Sequence, residues 1–113
     1  MKEPIEIEQF FAADIRVGEV TRVQVNEKAR TPAYILTVDL GDSLGERQAS
    51  AQLTGAYEAD DLIGRQVLAV VNLPAKRVAG VKSEILVLGA VEATGRTIVL
   101  QPERKVANGT AIA

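Results

Sequence analysis

The sequence predicts an all-β fold: a five-stranded barrel with one short N-terminal helix and another short helix between strands three and four. Three observations predict it. Apolar residues fall in short runs rich in Val, Ile and Leu, several of them alternating with polar residues at period two. Gly, Pro, Asn and Asp punctuate those runs at turn-like intervals. Helix-like signals occur in two stretches, near residues 5–12 and 54–65. The 113 residues fit one domain, 1–113, around one core, and with 4% aromatics that core must be aliphatic.

The elements follow in order. Ile7, Phe10 and Phe11 share one helical face, with Glu6 and Glu8 near the positive N-terminal end. The two phenylalanines either plug the core, the plainer use, or meet a partner surface. From Asp14 to Asn26 a long strand changes phase: Ile15 and Val17 share a face, Val20 has the other parity, and Val23 and Val25 return. Gly18 at the first change suggests a bulge that bends the strand between two sheets. Residues 27–32 form a charged connection carrying Lys28 and Arg30. Tyr34–Leu40 alternates as a half-buried strand, residues 41–45 turn, and Ala49, Ala51 and Leu53 mark the return strand. Gln48, Ser50 and Gln52 make a polar row on its other face, either a solvated sheet surface or a set of hydrogen-bonding groups.

In the 54–65 stretch, Asp60 or Asp61 can cap a short helix, Leu62 and Ile63 point inward, and Gly64 ends it. Val67–Val71 and Ile85–Val91 read as strands buried on both faces. Between them lies a basic loop with Asn72, Pro74, Lys76, Arg77, Gly80, Lys82, Ser83 and Glu84. It is either a solvated connection or a binding loop on a rigid barrel. Thr94-Gly95 turns into a strand at 97–101 that Pro102 stops. The tail 103–113, with a turn at Asn108-Gly109, either packs along the barrel or crosses to a second subunit. A helix inserted between the third and fourth strands of a five-stranded barrel is the arrangement of an OB-fold.

Composition narrows the function. There is no histidine and no cysteine, which removes the commonest general base, the commonest metal ligand and any thiolate site. The three serines sit in no nucleophile elbow, and no Gly-rich phosphate motif occurs. The expectation is a protein that is not an enzyme and holds no cofactor or metal. No apolar run approaches the ~20 residues of a membrane span, and the acidic start lacks a secretory h-region. A cytoplasmic location without membrane insertion is the default. A net charge of −2 argues against diffuse attraction to nucleic acid, so any RNA contact must come from local patches.

The stretches DIRVGEV (14–20), ARTPAYILTVDLG (29–41), SAQLTGAY (50–57), LIGRQVLAVVNLPAKRVAGVKSEILVLGA (62–90) and ANGT (107–110) resemble the bacterial CsaA family. CsaA belongs to the wider group of tRNA-binding OB domains that includes the C-terminal domain of bacterial methionyl-tRNA synthetase. The resemblance spans nearly the whole chain. It implies an OB barrel extended at both ends and a homodimer formed partly through those extensions, with Phe10 and Phe11 at the interface. It implies a chaperone of protein export that binds unfolded or pre-secretory polypeptides, associates with the SecA export machinery and has tRNA-binding capacity. An alternative is a protein whose main role is structure-specific tRNA binding. The matching site positions are Ser50, Gln52, Asn72, Lys76, Arg77, Ser83 and Glu84. Arg30 lies in a flanking loop, and Gln48 and Lys82 complete the polar row and the basic loop. Relatives often carry aromatics where this chain has Thr37, Leu40 or Leu73, and Ala75 replaces a frequent second proline. RNA contact here should therefore rest on phosphates and 2′-hydroxyls rather than on stacking.

Overall fold

Strand β1 (Ile15–Val25) is the spine of the molecule, because its length lets it pair with different partners along its two halves. The computed structural model describes all 113 residues. Helix α1 (Ile7–Phe11) precedes β1; β2 (Tyr34–Asp39), β3 (Glu46–Ala51), α2 (Ala59–Leu62) and β4 (Gln66–Val70) follow it. Then come β5 (Lys76–Val78), β6 (Val81–Ser83), β7 (Leu86–Val87), β8 (Gly89–Val91) and β9 (Thr97–Val99). The main sheet runs β3-β2-β1-β4-β7, and β5–β6 and β8–β9 are separate two-stranded hairpins. This is an OB-type barrel with a helix between its third and fourth strands.

β1 pairs with β2 over Glu19–Val25 and with β4 over Ile15–Glu19. The register with β2 slips between Val20 and Arg22, so the bulge lies at Thr21 and not at Gly18. Gly18 answers a packing need instead: a Cβ there would overlap Val38 and lie 2.8 Å from Leu40 Cδ2. Val17 and Val20 are both buried although their parities differ. Val20 faces the barrel interior, and the tail runs along the backbone of Val17, whose N–H donates to Thr110 O and whose carbonyl accepts from Gly109 N–H. Val20 meets Leu36, Val38, Leu40 and Val67 in an aliphatic core.

The barrel ends are closed by side chains and by the tail. At the β3 edge, Glu84 N–H donates to Gln48 O (2.8 Å) and Gln48 N–H donates to the Glu84 carboxylate (3.0 Å). Ser50 N–H donates to Ser83 Oγ (3.0 Å), so the segment entering β7 covers the free edge of β3. The tail packs along the barrel, on the part of β1 that β2 leaves open. Val17 N–H donates to Thr110 O, and Ile112 N–H donates to Ile15 O, both at 2.9 Å. Buried Gln66 fixes its approach, with Nε2 donating to Val106 O (2.6 Å) and Oε1 accepting from Val106 N–H (3.1 Å).

Several expectations are corrected. Neither Phe10 nor Phe11 plugs the core: they are 45% and 48% exposed, stacked edge to face at 5.2 Å, on a helix with no buried residue. A five-residue helix beyond the barrel end cannot reach a core that aliphatic strands already fill. The second helix is capped by Glu58, whose N–H the Asp61 carboxylate accepts (3.1 Å), rather than by Asp60 or Asp61. Leu62 is buried, but Ile63, beyond the last turn, faces solvent. The Ile85–Val91 run divides into β7 and β8 and is not buried on both faces, since Leu86 and Val91 are exposed. The last strand ends at Val99, two residues earlier than the sequence suggests.

Candidate binding surface

The stretch from Asn72 to Glu84 is not an open loop. Its centre is the β5–β6 hairpin, with Lys76 opposite Ser83, Arg77 opposite Lys82 and Val78 opposite Val81. Ala79 (φ 47°) and Gly80 (φ 85°) make the two-residue turn, both in the left-handed region that such hairpins require. Ala79 meets this demand without glycine's freedom. Its carbonyl lies 3.5 Å from Asn26 Nδ2, which ties the hairpin tip to the β1–β2 connection.

Strand alternation gives the hairpin two faces. One carries Lys76, Val78, Val81 and Ser83. With Ser50, Leu73, Pro74, Ile85 and Leu86, part of this face lines a groove of about 250 Å³. Leu73 and Leu86 are 47% and 49% exposed there and bring aliphatic surface to the groove. The other face carries Arg77 and Lys82. Like charges directly opposite on paired strands repel, and neither residue has an acidic partner: the ion pairs are Asp14–Arg16, Glu92–Arg96 and Glu103–Arg104. Arg77 donates only to Gly80 O, at 3.2 Å. A bound anion would relieve both charges at once.

The sequence-predicted site residues do not all converge. Ser50, Lys76, Ser83 and Glu84 share the groove, with Arg77 and Lys82 on the reverse face of its wall. The Ser83 hydroxyl and the Glu84 carboxylate also bond the backbone of β3. Asn72 is turned toward α1: its Nδ2 donates to Ala12 O (2.8 Å) and its Oδ1 accepts from Asp14 N–H (2.8 Å). Gln52 falls just beyond β3, in a depression with Thr31, Thr54 and Arg96, and Arg30 is exposed in the connection before β2. Gln48 lines a third hollow with Arg22, Thr37 and Arg47.

Sequence reasoning placed Pro74 in the loop but did not assign Leu73, Leu86, Arg22 or Arg47 to a site. Strand alternation carried a signal for Arg22, but the bulge at Thr21 shifts the phase that exposes it. Arg16, beside the tail, is held above its ordinary pKa by a hydrogen bond to Asp14 and by that carboxylate's charge. No cluster of three or more His, Cys, Asp or Glu is placed to hold a metal, and no helix is long and apolar enough to cross a membrane.

The barrel and its basic hairpin define a class. Residues 15–111 match the family described as "Putative tRNA binding domain". The chaperone CsaA of Bacillus anthracis strain Ames is 48% identical in a crystal structure. The match covers 98% of this chain and 100% of that one, with a TM-score of 0.92. The CsaA chaperone protein of Picrophilus torridus is 40% identical over 97% of this chain and 100% of that one, also with a TM-score of 0.92. The chain belongs to the tRNA-binding-domain family, among its CsaA members. A methionine–tRNA ligase from Methanococcus vannielii is 37% identical over 110 residues, which are 97% of this chain but 16% of the ligase. The chain thus spans a small fraction of the length of that curated relative.

Proposed function

We propose that this protein is a CsaA-type chaperone of protein export, a homodimer that holds unfolded or pre-secretory polypeptides and also binds tRNA. One observation carries the reading: the β5–β6 hairpin borders an apolar groove on one face and presents an unpaired Arg77–Lys82 pair on the other. An extended polypeptide can lay an aliphatic side chain against Leu73, Pro74 and Leu86, and Lys76 and Glu84 offer polar contacts at the rim. Burying one such side chain contributes about 1.5–3 kcal/mol, so capture is weak at a single groove and gains from several contacts acting together. A phosphodiester fits the other face.

The dimer is supported by apolar groups that the monomer leaves uncovered: Phe10 and Phe11 on α1, and Val91 and Ile98 on the β8–β9 hairpin. Two copies also double each groove and each basic pair, which raises avidity without new contacts. In this reading the protein works in the cytoplasm beside the SecA export machinery and performs no covalent chemistry. A second reading, with tRNA as the principal ligand, draws on the same opposed Arg77 and Lys82.

Calorimetric titration with an unfolded polypeptide tests the first reading. Wild type should bind with a negative heat-capacity change, and Leu73→Ser/Leu86→Ser should lose at least tenfold in affinity. Unaltered capture by the double variant would remove the groove from the account. Sedimentation checks the assembly: wild type should be dimeric at micromolar concentration and Phe10→Ala/Phe11→Ala largely monomeric. A stable wild-type monomer would contradict the dimer.

A further inference from the structure

Asn108-Gly109 is the only Asn-Gly pair in the chain, and two separate demands of the fold place it in the tail. Thr110 N–H donates to Ala107 O (3.2 Å), closing a turn with Gly109 in its third position. Gly109 has φ 91°, which favours glycine, and a Cβ there would lie 2.5 Å from Leu40 O. Asn108, in turn, uses both halves of its amide. Its Oδ1 accepts from Nε2 of buried Gln66 (3.0 Å), and its Nδ2 donates to Glu19 Oε1 and Asp39 Oδ2, both at 3.4 Å. The same two residues fasten the tail to β1. Gly109 N–H donates to Val17 O (2.6 Å), and Arg16 Nη1 donates to Gly109 O (3.1 Å).

An Asn-Gly peptide is open to cyclisation because glycine has no side chain to shield its nitrogen. After losing its proton, the Gly109 nitrogen attacks Asn108 Cγ, the Cγ–Nδ2 bond breaks and ammonia leaves a five-membered succinimide. Water then opens either ring carbonyl, giving aspartate or, with the main chain moved onto the side-chain carbon, isoaspartate. Water is the only co-reactant. In the docked tail every requirement is opposed. Val17 O holds the Gly109 proton, three side chains hold the Asn108 amide, and the attacking anion would form near the carboxylates that flank Asn108. The product, once made, no longer fits. Aspartate sets a third carboxylate against Glu19 and Asp39 and removes their shared donor. Isoaspartate lengthens the main chain between Val106, which Gln66 holds, and Thr110, which Val17 holds.

We propose that Asn108-Gly109 is a modification site and a latch: docking on β1 protects it, and deamidation after undocking makes release of the tail irreversible. Release opens the edge of β1 at Ile15 and Val17. Val17 N–H loses Thr110 O, Val17 O loses Gly109 N–H, and Ile15 O loses Ile112 N–H. An open edge of this kind pairs with other chains. The inference is independent of which ligand the protein carries.

The test ages the full chain in buffer and in urea sufficient to unfold it, and measures isoaspartate at position 108 by enzymatic methylation and peptide mapping. Isoaspartate should accumulate at least about tenfold faster in the unfolded chain, because the native tail exposes Asn108 only by local opening. Equal rates would overturn the protective role of docking. The deamidated fraction of the native sample, separated by charge, is then compared with Asn108→Asp by hydrogen exchange. In both, the Val17 and Ile112 amides should exchange at least about tenfold faster than in fresh wild type, while Leu36 and Val38 in β2 keep their protection. Glu19→Gln/Asp39→Asn, which keeps an acceptor for Gly41 N–H, should restore much of the tail's protection when added to Asn108→Asp. Unchanged Ile112 exchange in the deamidated fraction would overturn the latch. Equal loss of protection at Leu36 and Val38 would overturn it too, since the barrel and not the tail would then be the unit that opens.

Discussion

Within one stretch of thirteen residues, the ends and the middle use polar side chains in opposite ways. At the ends, Asn72 holds Ala12 and Asp14, and Ser83 and Glu84 accept backbone N–H groups of β3. In the middle, Lys76, Arg77 and Lys82 are exposed and have no acidic partner. Residues of similar polarity, a few positions apart, therefore do different work. The ends complete hydrogen bonds that strand geometry leaves open, whereas the middle leaves its charges exposed and unpaired. A small barrel makes this division necessary, because its β3 edge has no further strand of its own sheet to cover it.

The largest expected effect breaks the structural half. Ser83→Ala/Glu84→Ala leaves the part-buried N–H groups of Gln48 and Ser50 without their acceptors. At about 1–3 kcal/mol for each unsatisfied donor, stability should fall by about 2–6 kcal/mol in urea unfolding. A loss under about 0.5 kcal/mol would mean that these side chains do not close the barrel. Asn72→Ala comes next. It removes two hydrogen bonds at an exposed junction and should cost about 1–2 kcal/mol while leaving the tRNA salt slope unchanged. A shallower slope in that variant would place the Asn72 amide on the ligand instead. The smallest effect on stability belongs to the middle. Lys76→Ala, Arg77→Ala and Lys82→Ala should each stay within about 0.5 kcal/mol of wild type, and Arg77→Ala or Lys82→Ala should gain slightly by relieving like-charge repulsion.

How far the sequence was legible follows from the range of the interactions. The β2–β3 hairpin was readable because Leu36, Val38 and Ala49 alternate cleanly with polar residues, and alternation is a local property. The bend of β1 was readable as a change of phase, but its position was not. Gly18 looked like the bulge because it lacks a side chain, and only the approach of Val38 and Leu40 shows why it must. The β5–β6 hairpin was missed because three-residue strands carrying Lys76, Arg77 and Lys82 are too short and too charged to show a period. The spacing of Phe10 and Phe11 gave a helical face and left open what it faces, since that depends on how the core is filled elsewhere. For the site, the basic residues were visible as charge. The distinction between Ser83 or Glu84 and Lys82 was not, because it depends on β3, more than thirty residues earlier.

The central claim is that the hairpin's middle binds phosphate and its ends hold the fold. The most direct test measures tRNA affinity against salt for Arg77→Gln/Lys82→Gln, with urea unfolding of the same sample. The account predicts a slope lower by about 1.4–1.8 and an unfolding midpoint equal to or slightly above that of wild type. An unchanged slope, or a lower affinity accompanied by a comparable loss of stability, would contradict it.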